Sequence, residues 1–115
     1  MSESNKAILE KANTAIAKGD YEGFLHYCTE DTEWVFVGER TLKGKEVVRQ
    51  WMATAYTEPP QFIVEKMIAE GEFVTAIGTI RLKDESGERA NHVYCDVWQF
   101  RDGKMAALKA FVIKA

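Results

Sequence analysis

His92-Val93-Tyr94-Cys95-Asp96-Val97-Trp98-Gln99-Phe100 has the aromatic and β-branched content of a strand. Side chains alternate between the two faces of a strand. One face then carries His92, Tyr94, Asp96, Trp98 and Phe100, and the other Val93, Cys95, Val97 and Gln99. Both faces are largely apolar, so both are expected to be covered. A single carboxylate stands in the middle of the aromatic face. It must find hydrogen-bond donors, raise its pKa and stay neutral, or face a wet pocket. The plainest outcome is a buried Asp satisfied by a Tyr, a Trp or a backbone N–H. The other two make Asp96 a functional group.

Outward from this strand the C-terminal half reads as a meander. Strands over 61–69, 73–83, 89–101 and 104–114 are separated by turns at Glu70-Gly71-Glu72, Asp84-Glu85-Ser86-Gly87 and Asp102-Gly103. Gly78 is a candidate bend point inside the second of these strands. The N-terminal half is mainly helical. A first helix over 2–18 places Ile8, Ala12, Ala15 and Ile16 on one face, and Gly19 ends it. Asp20 caps a short second helix whose stripe is Tyr21, Phe24, Leu25 and Cys28, and Thr29-Glu30-Asp31 breaks that pattern. A strand over 33–37 turns at Gly38 toward a short return strand at Arg40-Thr41-Leu42. A third helix, 45 to about 56, puts Val47, Val48, Trp51, Met52 and Ala55 on one face before Pro59-Pro60 stops it. Three helices followed by a long meander give an α+β fold. Helices laid across the concave face of a strongly curved sheet would enclose a pocket.

The 115 residues are read as one domain, long enough for a core without metal or disulfide staples. A formal net charge of −3 with scattered Lys and Arg argues against nucleic acid and acidic membrane surfaces as partners, since both call for a basic patch. The two cysteines, Cys28 and Cys95, are far apart and make no CxxC pair, and His26 and His92 lack metal-ligand spacing. No metal is therefore expected, nor any cofactor, since phosphate-loop, dinucleotide and nucleophile–base motifs are all missing. The polar N-terminus and the lack of a long apolar run lead to a cytoplasmic expectation.

The order helix, helix, hairpin, helix and four long strands resembles the nuclear transport factor 2-like superfamily, and within it the SnoaL-like and ketosteroid isomerase-like proteins. The resemblance is carried by Ala17-Lys18-Gly19-Asp20-Tyr21-Glu22-Gly23 at the first helix–helix corner and by Tyr27 through Trp34 leading to the first strand. Leu42-Lys43-Gly44-Lys45-Glu46 before the third helix and Asp96-Val97-Trp98-Gln99-Phe100 with Asp102-Gly103-Lys104 at the last hairpin complete it. It spans roughly residues 5 to 113 and implies a cone-shaped fold, three N-terminal helices packed on a strongly curved, mostly antiparallel sheet. Compared with ketosteroid isomerase, the proton-shuttling Asp falls at Phe36 and the oxyanion-binding Tyr at about Ala12. Only the second oxyanion-site residue, an Asp held protonated, matches, at Asp96. Steroid isomerisation by that mechanism is therefore not expected. The same register implies a pocket lined by Trp34, Phe36, Trp51, Met52, Tyr94, Trp98, Leu108, Ala110 and Val112. Such a lining suits a flat apolar ligand with one polar handle.

Two functions of different kind follow, beside a third in which the sheet serves mainly as a dimerisation surface. One is a cofactor-independent enzyme using Asp96 as acid or base on a small apolar carbonyl or polyketide-like compound, as an isomerase, cyclase or dehydratase would. The other is a non-catalytic site for a small apolar ligand. His92 shares the face of Asp96 but stands about 13 Å away along the strand, too far for a dyad, and is expected at the rim or surface with His26. Val93, Cys95 and Val97 leave an apolar outer face, from which a homodimer formed through the sheet is expected. The resemblance points the same way.

Overall fold

A computed structural model gives the fold of residues 2–83 and 86–115, with side chains described for 4–82 and 86–115. Helices α1 (Ser2–Ala17) and α2 (Tyr21–Leu25) precede strands β1 (Cys28–Phe36) and β2 (Arg40–Lys43). Helix α3 (Lys45–Ala55) then leads to β3 (Gln61–Glu70), β4 (Phe73–Lys83), β5 (Arg89–Arg101) and β6 (Lys104–Lys114). The six strands form one sheet in the order β2-β1-β6-β5-β4-β3. Neighbours are antiparallel except β1 and β6, which run parallel. The α+β expectation holds, with a mixed sheet and the helices against one of its faces.

Helix α1 buries Asn5, Leu9, Ala12 and Ile16. The stripe is rotated by one residue from the expected one, leaving Ile8 and Ala15 half-buried on its flank. The larger Leu9 side chain takes the seat, since four-residue spacing selects a face without choosing which of two adjacent apolar residues fills it. Asp20 caps α2 as its type predicts, its Oδ1 accepting from the Gly23 N–H at 2.9 Å. Cys28, expected on the helical stripe, instead opens β1, and Thr29-Glu30-Asp31 lie within that strand. The ladder explains the difference. Cys28 pairs with Met105 and the next regular pair is Glu33 with Ala107, so the residues between are out of step with β6 and lack strand-like alternation.

The turn chemistry is local and legible. Asp102 and Gly103 have φ of 52° and 77°, the pair of positive angles that a two-residue type I′ hairpin needs. Of the expected turn at Asp84-Glu85-Ser86-Gly87, Asp84 and Glu85 lie outside the described residues. Gly78 faces Val64 across β3 and Tyr94 across β5, beside a register shift between Val64 and Lys66. A Cβ there would stand 1.9 Å from the Ile63 carbonyl oxygen and 3.0 Å from the Tyr94 ring. The bulge folds the β3 backbone over this point, and only glycine leaves room for it.

The core lies between the helices and the concave face, with Leu25, Val48, Met52, Val74, Phe100 and Met105 almost wholly buried. The convex face is not covered within the chain, contrary to expectation. Ile63, Val93 and Ile113 are 66%, 47% and 70% exposed. No helix among the described residues is long and apolar enough to cross a membrane.

Candidate functional site

Strands β5 and β6 build the wall of a cavity from residues of one parity. From the core outward their cross-strand pairs are Trp98 with Leu108, Asp96 with Ala110, Tyr94 with Val112 and His92 with Lys114. Strand β4 continues each row with Val74, Ala76, Gly78 and Ile80. Strand β1 adds Trp34 beside Leu108 and Phe36 beside Ala110. Asp96 therefore stands in its row between two alanines, and their small side chains leave space around its carboxyl.

Helix α3 roofs this wall. Trp51 packs on Phe36 at 4.9 Å between ring centroids and on Trp34 at 6.2 Å. Tyr56, the C-cap of α3, meets Trp51 at 5.2 Å, and its carbonyl oxygen accepts the Tyr21 hydroxyl at 2.7 Å. Trp34 makes an edge-on contact with Trp98 at 5.6 Å. The cavity, open to solvent on one side, measures about 580 Å³, and all three tryptophans of the chain line it.

Of the residues expected around a pocket, Trp34, Phe36, Trp51, Tyr94 and Trp98 line this cavity. So do Asp96, Leu108, Ala110 and Val112. Met52 does not line it. It follows Trp51 in the helix and so points about 100° away, into the core, where it is fully buried beside Val48. Ala12 is likewise fully buried, and α1 reaches the cavity through Asn13 and Ile16. The sequence did not single out Tyr56 or Phe62 as lining residues. Tyr56 carries a signal in the sequence, as the aromatic residue one turn beyond Trp51–Met52 and just ahead of Pro59-Pro60. Phe62 shares the inner face of β3 with Val64, ahead of the bulge, a feature that leaves no mark in sequence. His92 sits at the rim, half-buried, with Nδ1 2.9 Å from the Ala90 carbonyl oxygen. His26 is exposed, as expected.

Electrostatically the cavity has one outstanding group. Burial pushes the Asp96 carboxyl up to about 7 from an ordinary 3.8, and no hydrogen bond or cation among the described residues counteracts it. Burial, then the Asp96 and Glu65 carboxylates, push the Tyr94 phenol up to about 12. Tyr56 is raised further, by burial first and then by Asp96 and Tyr21. Both phenols therefore remain donors at neutral pH, and both stand near enough to Asp96 to feel its charge. The indole N–H of Trp34 is buried without a hydrogen-bond partner among the described residues. Burial pushes the Cys28 thiol up to about 12, which makes it an inert core residue. Among the described residues no three His, Cys, Asp or Glu side chains are grouped to hold a metal.

Helices over a curved sheet around such a cavity define a protein of the nuclear transport factor 2-like superfamily. The sequence profile of the SnoaL-like domain matches residues 9–108, and the chain belongs to that family. No curated protein matches it in sequence. Among solved structures, it is similar to an NTF2-like protein of unknown function from Burkholderia pseudomallei, with TM-score 0.81 and 22% identity over 96% of this chain and 90% of that one. An LEH-like epoxide hydrolase of M. tuberculosis is similar with TM-score 0.84 and 15% identity, covering 96% of this chain and 84% of that one. TerC, co-crystallised with polyporic acid, gives TM-score 0.78 and 21% identity over 93% of this chain and 89% of that one. Likeness at these identities concerns the fold.

Proposed function

We propose that the cavity receives a small, flat, apolar molecule bearing a hydrogen-bond-accepting oxygen, and that Asp96 meets that oxygen as an acid or base. The observation that carries this reading is the Asp96 carboxyl, placed between Ala76 and Ala110 in an aromatic wall with burial unrelieved by any donor or cation among the described residues. A carboxyl near 7 exists in both forms at neutral pH, so it can give or take a proton at little cost. Such a group suits cofactor-independent isomerase-, cyclase- or dehydratase-type chemistry on a carbonyl or polyketide-like compound. A fold that serves an epoxide hydrolase and has been crystallised with polyporic acid is compatible with this use. One feature favours the second reading, a binding site without catalysis. The phenols of Tyr56 and Tyr94 are held protonated, which leaves Asp96 as the titrating group of the aromatic wall.

A matched pair of probes tests the contact. Acetylnaphthalene and isopropylnaphthalene have nearly the same shape, but only the first carries an acceptor oxygen. Quenching of the cavity tryptophans should give tighter binding of the ketone to the native protein. Asp96→Leu should weaken the ketone about tenfold and leave the hydrocarbon unchanged. Equal effects on both, or none, would show that Asp96 does not meet the ligand. Once a turned-over substrate is in hand, Asp96→Asn should retain binding and lose about 10²–10⁴ in rate. Unaltered turnover in that variant would leave the binding reading.

A further inference from the structure

Resting on that reading of the cavity, we infer that the ligand also bears a hydroxyl at its outer end, and that His92 accepts a hydrogen bond from it. The ligand class is then a hydroxylated aryl ketone, with its acceptor oxygen at Asp96 and its donor at the rim. Strand β5 gives the wall a line of polar side chains, Asp96, Tyr94 and His92, at alternate residues of one face. Beside them β4 offers Ala76, Gly78 and Ile80. Strand β6 offers Ala110 and Val112, and then Lys114, which already has a partner of its own. Rows two residues apart are about 7 Å apart, so Asp96 and His92 are separated by about 13 Å of wall. A two-ring body with an oxygen at each end, hydrogen-bonded at both, spans that interval.

Tyr94 stands between the two but does not block the way. Its Cε2 lies 3.0 Å from where a Cβ on Gly78 would be, so the ring leans over β4. The strip above Ala110 and Val112 is left for a flat body running from Asp96 to the rim. His92 lines the cavity and is half-buried. Its Nδ1 is 2.9 Å from the Ala90 carbonyl oxygen, which can only accept, so Nδ1 carries the proton. Nε2 is the nitrogen farther from the backbone, on a side chain that rises from the cavity face. In the neutral ring it holds a lone pair and accepts. A protonated Asp96 donates. The two ends of the wall therefore have opposite hydrogen-bonding sense, and this fixes the ligand's direction. Turned around, the ketone oxygen would face the Nε2 lone pair, acceptor against acceptor. A ligand without a donor at that end would cover Nε2 and leave it unpaired. A hydroxyl supplies the donor without adding charge.

The test compares an acetylnaphthol, its two groups at opposite ends of the rings, with its methyl ether and with acetylnaphthalene itself, again by quenching of the tryptophans. The ether keeps an oxygen at the outer end but cannot donate, and acetylnaphthalene controls for size. The naphthol should bind the native protein about tenfold more tightly than either. His92→Phe keeps a flat ring and loses the acceptor. It should remove the naphthol's advantage and leave the affinity for acetylnaphthalene unchanged. Asp96→Leu should weaken all three ketones alike. Should the ether or acetylnaphthalene bind as tightly as the naphthol, or His92→Phe preserve the naphthol's advantage, the inference is overturned and the cavity reading stands. Ketones that bind independently of Asp96, or do not bind, overturn both.

Discussion

Two alanines decide what Asp96 can be. With Ala76 and Ala110 beside it in the row, the carboxyl has space and no partner among the described residues, and its proton is held more tightly than in water. A carboxyl whose pKa is raised by folding favours the protonated form, so its contribution to stability is full below about pH 4. It fades as pH rises toward about 7, and above that the ionised group costs stability. Asp96→Asn removes this titration. The variant is expected to gain on the native protein by up to about 4 kcal/mol between about pH 4 and pH 8. Denaturant unfolding at a series of pH values measures the difference. If both proteins gain and lose stability in parallel, or if the variant is the weaker at pH 8, Asp96 is anchored as a carboxylate and the site loses its acid. The position of Asp96 on an aromatic face could be read from strand alternation alone. Its lack of partners could not, because that depends on Ala76 and Ala110, brought beside it by pairings between strands.

Between β3 and β4 a bulge replaces regular pairing at Val64 and Lys66, and it closes over Gly78 while Tyr94 packs from the other side. Gly78→Ala must displace backbone rather than a flexible side chain, so a loss of about 1–3 kcal/mol is expected, with weakened binding through the displaced Tyr94 ring. Denaturant unfolding and the acetylnaphthalene titration report the two effects separately. An unchanged midpoint would mean that the bulge yields freely. Legibility differed by element for the same kind of reason. The β4, β5 and β6 boundaries coincide with the sequence reading because Asp102-Gly103 and the glycine turns punctuate regular alternation. The start of β1 did not, because Thr29 to Thr32 are out of step with β6 and carry no period to detect. On α3 the apolar stripe was visible, but Trp51 and Met52 divide between cavity and core, and the stripe itself does not mark that division.

The outer face of the sheet presents Ile63, Val93 and Ile113 in one row, separated only by Thr79, with Phe111 and Cys95 in the next. These neighbouring apolar side chains lie open to water, and a second copy is expected to cover them. Light scattering at micromolar concentration should give twice the chain mass of 13.1 kDa, and Phe111→Glu should return it to that value. Native protein at 13.1 kDa removes the expectation. The same sheet also sets the order in which the molecule can form. Strand β6 is wedged between β1 and β5, so a nascent chain holds β1 beside β2 alone until the last hairpin leaves the ribosome. Until then Trp34 and Phe36 have no Leu108 or Ala110 beside them, and the helices that rest on them have no wall to close against. The cavity is thus closed only when β6 joins the β1 side of the wall to β5. A stalled or shortened product lacking β6 would present the aromatic residues of an open wall to chaperones and proteases.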